Sequence, residues 1–394
     1  MSDGNADSAR ARILFIAMYL VPNDARFLKL RDRLAAEGFE VSAIVPQMPG
    51  IKVAPGVTAV QPGPLTRLAY ALRPLPGIGT LANAWLARKR KSGLAKAAVR
   101  SEPDVIIGFD PEAMPAAIEA KRRTGARFVF DAHEYHSEED PDHPLRGRWV
   151  ARLETRLDPH LDGFVTVNQS IADLYVRDAR IKRSPLVVRN AVDPYPSHDG
   201  VDRLRPALGV PESENILLYH GALRPMRGLI QLAEMSWHLP QGWTIAVMGE
   251  GALREEMERA GHPQRLRFLP SVPHAELPLW IASATLGVIL YEGRGENQRN
   301  ATPNKLWEYA AAGVPMLARD LPELAAAIRS AGMGILVSDG EAPADIARRL
   351  GDLDPDWLTQ ASAAARRFAE KNSWSREVEP FVDLVRQLAQ TSRG

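Results

Sequence analysis

Two series of alternating apolar and amphipathic segments constrain the fold of this 394-residue chain more than any other feature. The first series begins with Arg12–Met18, a nearly unbroken apolar run that is typical of a strand in a parallel sheet. An amphipathic helix is predicted at 25–37 and a second strand at 40–45. Because parallel strands need such crossover helices, this repeated alternation predicts a doubly wound α/β sheet.

The alternation breaks once and then restarts. Further strands of the first series are predicted at 105–108, 127–130, 163–167 and 186–188. The break at 193–200 is polar and punctuated by proline and glycine, as expected of a linker. Strands of the second series are predicted at 216–219, 244–248, 266–268, 286–290, 315–318 and 334–337. Since the chain is too long for one ordinary core, we predict two Rossmann-like domains that face each other across a cleft.

The two series also set the predicted domain boundaries. Residues 1–10 are expected to be disordered, because they are polar and acidic. Residues 11–195 are expected to form the first domain and residues 196–375 the second. Residues 376–394 are predicted to contain a final helix.

Composition excludes several classes of function. The net charge of +1 argues against a general nucleic-acid binder, so no nucleic acid is expected as a partner. The absence of cysteine excludes disulfides and thiolate metal sites. The N-terminal residues lack the basic and apolar regions of a signal peptide, and the longest apolar run is too short to span a membrane. We therefore predict a cytoplasmic protein.

Charge is unevenly distributed along the first half. Between Glu40 and Glu102 there is no acidic residue, whereas there are nine lysines and arginines with apolar residues, including Trp85, between them. A basic amphipathic segment of this kind predicts contact with an anionic membrane through residues 65–100, at the inner face of the membrane. The alternative is a solvated helix whose apolar side packs on its own domain.

Three loops of the second half follow predicted strands and precede helices. The loop from Gly221 to Gly228 carries Arg224 and Arg227, which suit a diphosphate because guanidinium binds phosphate in a bidentate manner. The second loop contains Gly249 and Gly251. This Gly-x-Gly sequence could belong to the same binding site, but the need for a tight turn explains the two glycines equally well. The carboxyl ends of parallel strands meet at one edge of a sheet, so these loops are expected to line one site.

The third loop opens a short helix. Thr302 is its predicted N-cap, Pro303 lies in its first turn, and Glu308 lies within it. The amides at a helix N-terminus can bind a phosphate, and the nearby carboxylate can bind ribose hydroxyls. Together these two features indicate a nucleotide site. The alternative is a surface helix with an ordinary solvated glutamate.

In the first half, two strand ends carry candidate catalytic groups. His133 and Glu134 follow the strand at 127–130, and Asp110 follows the strand at 105–108. Histidine can donate a hydrogen bond to a hydroxyl group or accept its proton, and Glu134 next to it can polarise such a hydroxyl. The alternative is a hydrogen-bonded pair that stabilises a loop.

Residues 135–143 contain further histidines and acids, but their spacing matches no helix-borne ligand motif, so a mobile acidic loop is predicted there. The Asp-x-Asp sequences at 352–356 lie in a polar connector. No metal site and no cofactor are therefore expected.

Four of these segments together resemble the GT-B-fold retaining glycosyltransferases usually numbered family 4. The matching segments are Pro303–Pro315, Gly221–Gly228, Gly249–Arg254 and Phe130–Glu134, and the resemblance runs from Ile13 to the final helix. It implies transfer of a sugar with retention, from a nucleotide-diphosphate donor in the second domain to an acceptor hydroxyl in the first. It also implies that the final helix crosses back to the first domain.

The resemblance assigns roles to individual residues. His133 would face the sugar, Glu308 would hold the donor ribose, and Arg227 would occupy a phosphate-binding position. The remaining residues predicted to contact the donor are Asn300, Asn304, Lys305 and Leu306, together with Pro303 and the three loop glycines. Asn300 stands where the family has a glutamate. Ala222 stands where it has a basic residue, for which Arg224 would substitute.

The basic segment and the resemblance point to a glycan or lipid-linked acceptor in surface polysaccharide or glycolipid assembly. Two alternatives stay open. One is a sugar-nucleotide epimerase or hydrolase of the same fold. The other is a catalytically silent nucleotide-binding membrane adaptor, which Asn300 in place of glutamate would suit.

Overall fold

A computed structural model describes residues 10–392 apart from 21, 23, 49, 51, 62–77, 140–141 and 197–199. In the helix that begins at Ile78, the side chains are described from Arg88 onward. The predicted disordered segment, except Arg10, therefore lies outside what the structure describes. Residues 65–77 of the basic segment 65–100 also lie outside the described residues. The chain divides into two compact units, Met1–Val188 with Val378–Gly394, and Arg189–Glu377.

The first unit is built on one parallel sheet. Its strands are Arg12–Ile16 (β1), Glu40–Pro46 (β2), Val57–Val60 (β3), Val105–Gly108 (β4), Arg127–Ala132 (β5), Gly163–Thr166 (β6) and Leu186–Val187 (β7). Its helices are Ala25–Ala36 (α1), Ile78–Arg100 (α2), Met114–Thr124 (α3), Pro144–Leu157 (α4), Gln169–Arg177 (α5) and the last helix, Glu379–Ser392 (α16). Short 3-10 helices lie at His136–Glu138 and Asp158–His160.

The second unit is built in the same way. Its strands are Asn215–His220 (β8), Trp243–Met248 (β9), Leu266–Leu269 (β10), Leu286–Ile289 (β11), Met316–Arg319 (β12) and Gly334–Val337 (β13). Its helices are Leu204–Leu208 (α6), Leu229–Met235 (α7), Arg254–Ala260 (α8), Leu277–Ala282 (α9), Gly295–Arg299 (α10), Asn304–Ala311 (α11), Pro322–Ala331 (α12), Pro343–Gly351 (α13), Pro355–Lys371 (α14) and Trp374–Glu377 (α15).

Both sheets are doubly wound. The strand order is β3-β2-β1-β4-β5-β6-β7 in the first and β10-β9-β8-β11-β12-β13 in the second, and all described pairs are parallel. The predicted α/β fold with two Rossmann-like sheets is thus confirmed. The order reverses between β1 and β4 and again between β8 and β11, and these are the positions where open α/β sheets bind ligands.

Apolar sequence explains the centre of each sheet. Residues 13–16 of β1 are completely buried, as expected for a strand covered by helices on both faces. The helix after β1 begins where the Asp24 carboxylate accepts a hydrogen bond from the Phe27 amide at 3.0 Å, an N-cap contact.

The last helix belongs to the first unit. Glu379 pairs with Arg33 at 2.8 Å, and Arg386 pairs with Glu37 at 2.9 Å, both on α1 or its end. The α16 helix also packs against β4 and β5. The chain therefore leaves the first unit after Val188 and returns to it at Val378.

The described part of the basic segment lies in α2. Its apolar side chains Leu94, Ala95 and Ala98 are buried in the core of the first unit. Arg88, Lys89, Lys91 and Lys96 are exposed. In the described part of the chain, no helix has the length and the apolar character that crossing a membrane requires.

Candidate functional site

Two cations gather where the strand order of the second sheet reverses. The ammonium of Lys305, on α11, lies 4.7 Å from the ring centre of Tyr219 and 5.7 Å from that of Tyr291. The guanidinium of Arg227 lies 4.0 Å from the ring centre of the same Tyr291. Lys305 is buried, and within the described residues no carboxylate forms an ion pair with it. Two cations held on aromatic faces create a site that favours an anion.

The position of α11 depends on close packing against the sheet. The Tyr309 hydroxyl donates a 2.7 Å hydrogen bond to the carbonyl of Leu218 in β8. A Cβ at Gly287, in β11, would come within 2.5 Å of the Tyr309 ring, so any larger residue there would push the helix away. These two contacts bring the start of α11 to the strand ends.

The predicted N-cap of this helix is wrong. The structure places Pro303, not Thr302, at the N-cap, because the helical turn begins only at Asn304. Pro303 makes no side-chain capping bond. The amide groups of the first turn are therefore not capped by the N-cap side chain, and a helix N-terminus of this kind attracts anions.

Glu308 lies one turn after Lys305 and is buried with His220. The closest distance between the two side chains is 3.5 Å, from His220 Nε2 to Glu308 Oε2. Burial lowers the pKa of His220 well below its usual value, and the charge of Lys305 acts in the same direction. The imidazole is therefore neutral, so this contact is not an ion pair and the carboxylate keeps its capacity to accept further hydrogen bonds.

The glycines of the two neighbouring loops are explained by backbone packing. A Cβ at Gly249 would lie 2.1 Å from the carbonyl oxygen of Gly221, and one at Gly251 would lie 2.4 Å from that of Leu223. The loops are joined by hydrogen bonds from Gly221 N to Met248 O and from Leu223 N to the Glu250 carbonyl, both 2.9 Å. Only residues without a Cβ permit this approach. A direct role of Gly221, Gly249 and Gly251 in donor binding stays a prediction.

The other predicted donor residues are placed differently. Arg224 is exposed, and none of its described contacts is with Lys305 or Arg227. The Leu306 side chain is completely buried in the core of the second unit. Asn300 is buried at the end of α10, where its amide donates to the Glu296 carbonyl at 2.8 Å and to its carboxylate at 3.2 Å. Asn304 is exposed at the start of α11.

In the first unit, the three predicted catalytic residues line one cavity of about 250 Å³. Asp110 accepts a 2.5 Å hydrogen bond from the amide of Met18, which follows β1, so the cavity lies where the strand order of the first sheet reverses. Burial raises the pKa of Asp110 to about 6. The residues lining this cavity are Met18, Tyr19, Met48, Asp110, Glu112, His133, Glu134, His136, Glu139 and Arg146.

Two histidines in the cavity differ in charge. The rings of His133 and His136 are 5.4 Å apart and nearly perpendicular. Burial, assisted by the charges of His136 and Arg26, lowers the pKa of His133 to about 3. Burial also lowers the pKa of His136, but contact with Glu139 and the charges of other carboxylates outweigh it and raise that pKa to about 9. At neutral pH the cavity therefore holds a neutral imidazole beside a charged one.

The expectation of a mobile loop is wrong for residues 135–138. Tyr135, His136 and Ser137 are buried in a 3-10 turn. The turn is held by α4, since a Cβ at Gly147 would lie only 2.3 Å from the Ser137 carbonyl oxygen. Among the described residues, no three His, Asp or Glu side chains are grouped so as to hold a metal ion.

Sequence reasoning missed Tyr219, Tyr291 and His136 as site residues. Tyr219 lies in a predicted strand and Tyr291 follows one directly, so their positions at strand ends were a usable signal. His136 lies three residues after His133. Its burial depends on the approach of α4, which has no local sequence signal.

The charge of His136 predicts a pH dependence of stability. Its pKa is about 9 in the folded chain against 6.5 in the unfolded chain, so its stabilising contribution is complete below pH 6.5 and is lost as pH rises through 9. Replacing His136 with asparagine is expected to remove this dependence. Urea unfolding at pH 6 and pH 9 should show wild type losing on the order of 2–3 kcal/mol more than the variant.

The control for this measurement is His238→Asn, because His238 is exposed in the other unit. It should lose as much stability as wild type over the same interval. An equal loss in wild type and His136→Asn would show that His136 is not charged in the folded chain.

Comparison with known proteins agrees with the fold. Residues 24–191 match the model of a glycosyl transferase 4-like domain, and residues 214–354 match that of glycosyl transferases group 1. A D-inositol 3-phosphate glycosyltransferase 1 from Catenulispora acidiphila is 29% identical over 212 residues, which are 49% of this chain and 49% of that protein. The match thus spans about half the length of this curated relative.

Solved structures resemble nearly the whole chain. Sucrose-phosphate synthase from Thermosynechococcus elongatus is 17% identical with a TM-score of 0.75, over 97% of this chain and 100% of that one. Anabaena HepE in complex with UDP is also 17% identical, with a TM-score of 0.71 over 95% and 100%. At these identities the likeness concerns the fold. With its glycosyl transferase 4-like domain followed by its group 1 domain on two doubly wound sheets, the chain belongs to the GT-B glycosyltransferases.

Proposed function

We propose that this protein transfers a sugar from a nucleotide-diphosphate donor to an acceptor hydroxyl, with retention of configuration. The second unit binds the donor and the first unit binds the acceptor. The observation that carries the proposal is the group formed by Lys305, Arg227 and Glu308 at the ligand-binding edge of the second sheet. It offers two cations for a diphosphate and a buried carboxylate for a ribose.

The donor is held by complementary charge and hydrogen bonding. The diphosphate lies against Lys305, Arg227 and the amides at the start of α11, and the ribose diol donates to Glu308. Because these cations neutralise the leaving diphosphate, the proposal needs no metal ion. Uridine diphosphate is the first nucleotide to test, since the structural neighbour HepE was solved with UDP.

The acceptor occupies the cavity beside His133. Neutral His133 hydrogen-bonds to a sugar hydroxyl at the reacting centre, while Glu134 and Asp110 orient the acceptor. The bond from the anomeric carbon to the phosphate oxygen breaks, and a bond to the acceptor oxygen forms on the same face. The acceptor proton passes to the departing phosphate. We propose a glycan or lipid-linked acceptor, as in surface polysaccharide or glycolipid assembly.

The donor site is tested by thermal unfolding with UDP, GDP, ADP, CDP and TDP. One nucleotide at 100 times its dissociation constant should stabilise the fold by about 2.7 kcal/mol. Replacing Glu308 with glutamine should reduce this shift, whereas Glu370→Gln, on the exposed side of α14, should preserve it. If no nucleotide shifts the melting temperature, the donor-site assignment is wrong.

The reaction itself is tested with the matching nucleotide sugar. Release of the nucleoside diphosphate should depend on an acceptor, and the product should carry a new glycosidic bond. Equal release without an acceptor would identify a hydrolase. Binding without turnover under any condition would identify the silent adaptor.

A further inference from the structure

Helix α4 presents large apolar side chains to solvent. Leu145 is 76% exposed and Trp149 is 46% exposed. They lie four residues apart and therefore on the same face of the helix. Gly147, Val150 and Leu157 are buried on the opposite face. This helix thus has an apolar side toward its own core and a second apolar patch that nothing in the described chain covers.

The same exposed face is strongly cationic. Arg148, Arg152 and Arg156 follow at helical spacing from Leu145 and Trp149, and all three are exposed. In the described part of the chain, none of these three arginines forms an ion pair. The acidic residue of this helix, Glu154, points away from this face. It is completely buried and bonds to the Tyr175 hydroxyl at 2.8 Å and to Arg180 at 3.3 Å.

We propose that this face of α4, formed by Leu145, Arg148, Trp149, Arg152 and Arg156, docks on an anionic membrane surface. Tryptophan and leucine enter the boundary between headgroups and acyl chains, and arginines contact lipid phosphates. Charge complementarity selects this occupant, because three cations that form no ion pair within the described chain surround the apolar pair, and α4 itself carries no carboxylate on this face.

The α4 face differs from the predicted membrane contact at 65–100. In the described part of α2, the apolar side chains are buried or partly buried, and the exposed residues are cations and Ser92. Such a surface attracts anionic lipid but offers no apolar anchor. The α4 face supplies both, so among the described residues it is the better candidate for stable docking.

The same helix lines the acceptor cavity. Arg146 donates to Glu112 at 2.9 Å and to Glu139 at 3.4 Å, and all three residues line that cavity. Gly147 packs against the turn that carries His136. A membrane bound to α4 would therefore lie near the cavity, which suits a lipid-linked acceptor. This last consequence rests on the proposed function, whereas membrane docking does not.

The proposal is tested by sedimentation with vesicles of phosphatidylcholine, with and without phosphatidylglycerol. The protein should bind only the anionic vesicles. Replacing Leu145 and Trp149 with serine should weaken binding at least about tenfold, because two large side chains leave the bilayer. Replacing Arg148, Arg152 and Arg156 with glutamine should weaken it roughly fivefold for each charge.

Two controls make the result specific. Trp237 is 55% exposed in the second unit, so Trp237→Ser should bind as wild type does. A variant with Arg88, Lys89 and Lys91 changed to glutamine tests the basic segment in the same assay. The proposal is overturned if anionic vesicles do not bind, or if only the α2 variant loses binding. It is also overturned if the Leu145 and Trp149 variant changes the oligomeric state, which would identify an interface between copies.

A second measurement does not depend on affinity. The chain has no cysteine, so Leu145→Cys can carry a single environment-sensitive fluorophore. Its emission should shift to the blue and increase on addition of anionic vesicles, while the same label at Trp237→Cys should not respond. An unchanged spectrum at position 145 during vesicle binding would show that another surface contacts the lipid.

Discussion

Replacing His133 with alanine is expected to reduce the rate of sugar transfer about 100- to 1000-fold, the cost of removing one preorganised hydrogen-bonding group from a reacting centre. The imidazole lies in the cavity of the first unit with Asp110 and Glu134 and is neutral at pH 7, because burial lowers its pKa to about 3. Its Nδ1 is buried without a partner among the described residues. A neutral ring with unused hydrogen-bonding capacity can serve a sugar hydroxyl at the reacting centre.

The measurement compares initial rates of transfer with the thermal shift produced by the nucleoside diphosphate. Because His133 belongs to the first unit, the nucleotide shift should stay as in wild type while the rate falls. The control His238→Ala changes an exposed histidine of the second unit and should retain the wild-type rate. A His133→Ala enzyme with a normal rate would remove this residue from the proposed reaction.

Much of the fold could be predicted because it depends on local sequence. The run that contains β1 is apolar at consecutive positions, and such a run suits a strand covered on both faces. The predicted strand at residues 12–18 nevertheless ends at Ile16.

Strand β3 was missed, since its four residues, Val57–Val60, are only partly buried and lack a distinct pattern. Its pairing with β2 requires a partner that the local sequence does not reveal.

The site was predictable where chemistry follows a strand directly. Arg227 and Lys305 lie in or next to loops after strands, and parallel topology brings such loops to one edge. The structure shows that these cations lie over tyrosine rings, Arg227 over Tyr291 and Lys305 over Tyr219. Tyr219 is the penultimate residue of β8, and Tyr291 follows β11. These two strands are neighbours in the sheet although they are far apart in sequence. Sequence patterns alone do not give such adjacency.

His136 illustrates the remaining gap. It lies three residues after the predicted site residue His133, but the acidic residues around it predict a mobile loop. The structure buries it in the 3-10 turn that packs against Gly147. Its charge then follows from contact with Glu139 and other carboxylates. Burial of an ionisable group is a tertiary property, and the pKa depends on that burial.

Replacing Lys305 with methionine is expected to lower the rate of transfer about 100- to 1000-fold, the cost of removing one preorganised charge from a reacting centre. Methionine keeps an unbranched side chain over Tyr219 and removes only the ammonium. In wild type this ammonium is buried between Tyr219 and Tyr291 and forms no ion pair with a carboxylate of the described chain. The proposed diphosphate supplies the missing negative charge.

The surroundings of Lys305 predict how stability changes. Burial disfavours its charged form, but the neighbouring Tyr291, Tyr219 and Glu308 outweigh burial and raise the pKa of Lys305. Lys305→Met should therefore unfold at the same temperature as wild type or at a slightly lower one. Added nucleoside diphosphate should stabilise wild type but give the variant little further shift. Lys371→Met changes an exposed lysine at the end of α14 and should leave rate and nucleotide shift unchanged.

These two readouts separate a binding role from a structural one. If Lys305→Met lowers the melting temperature without ligand and keeps the nucleotide shift, the ammonium stabilises the fold and does not bind the donor. If the nucleotide shift is lost while the melting temperature of the unliganded protein changes little, the ammonium serves nucleotide binding. A buried charge whose removal abolishes the ligand shift but barely changes the free protein acts through the ligand, because its effect is seen only when the ligand is bound.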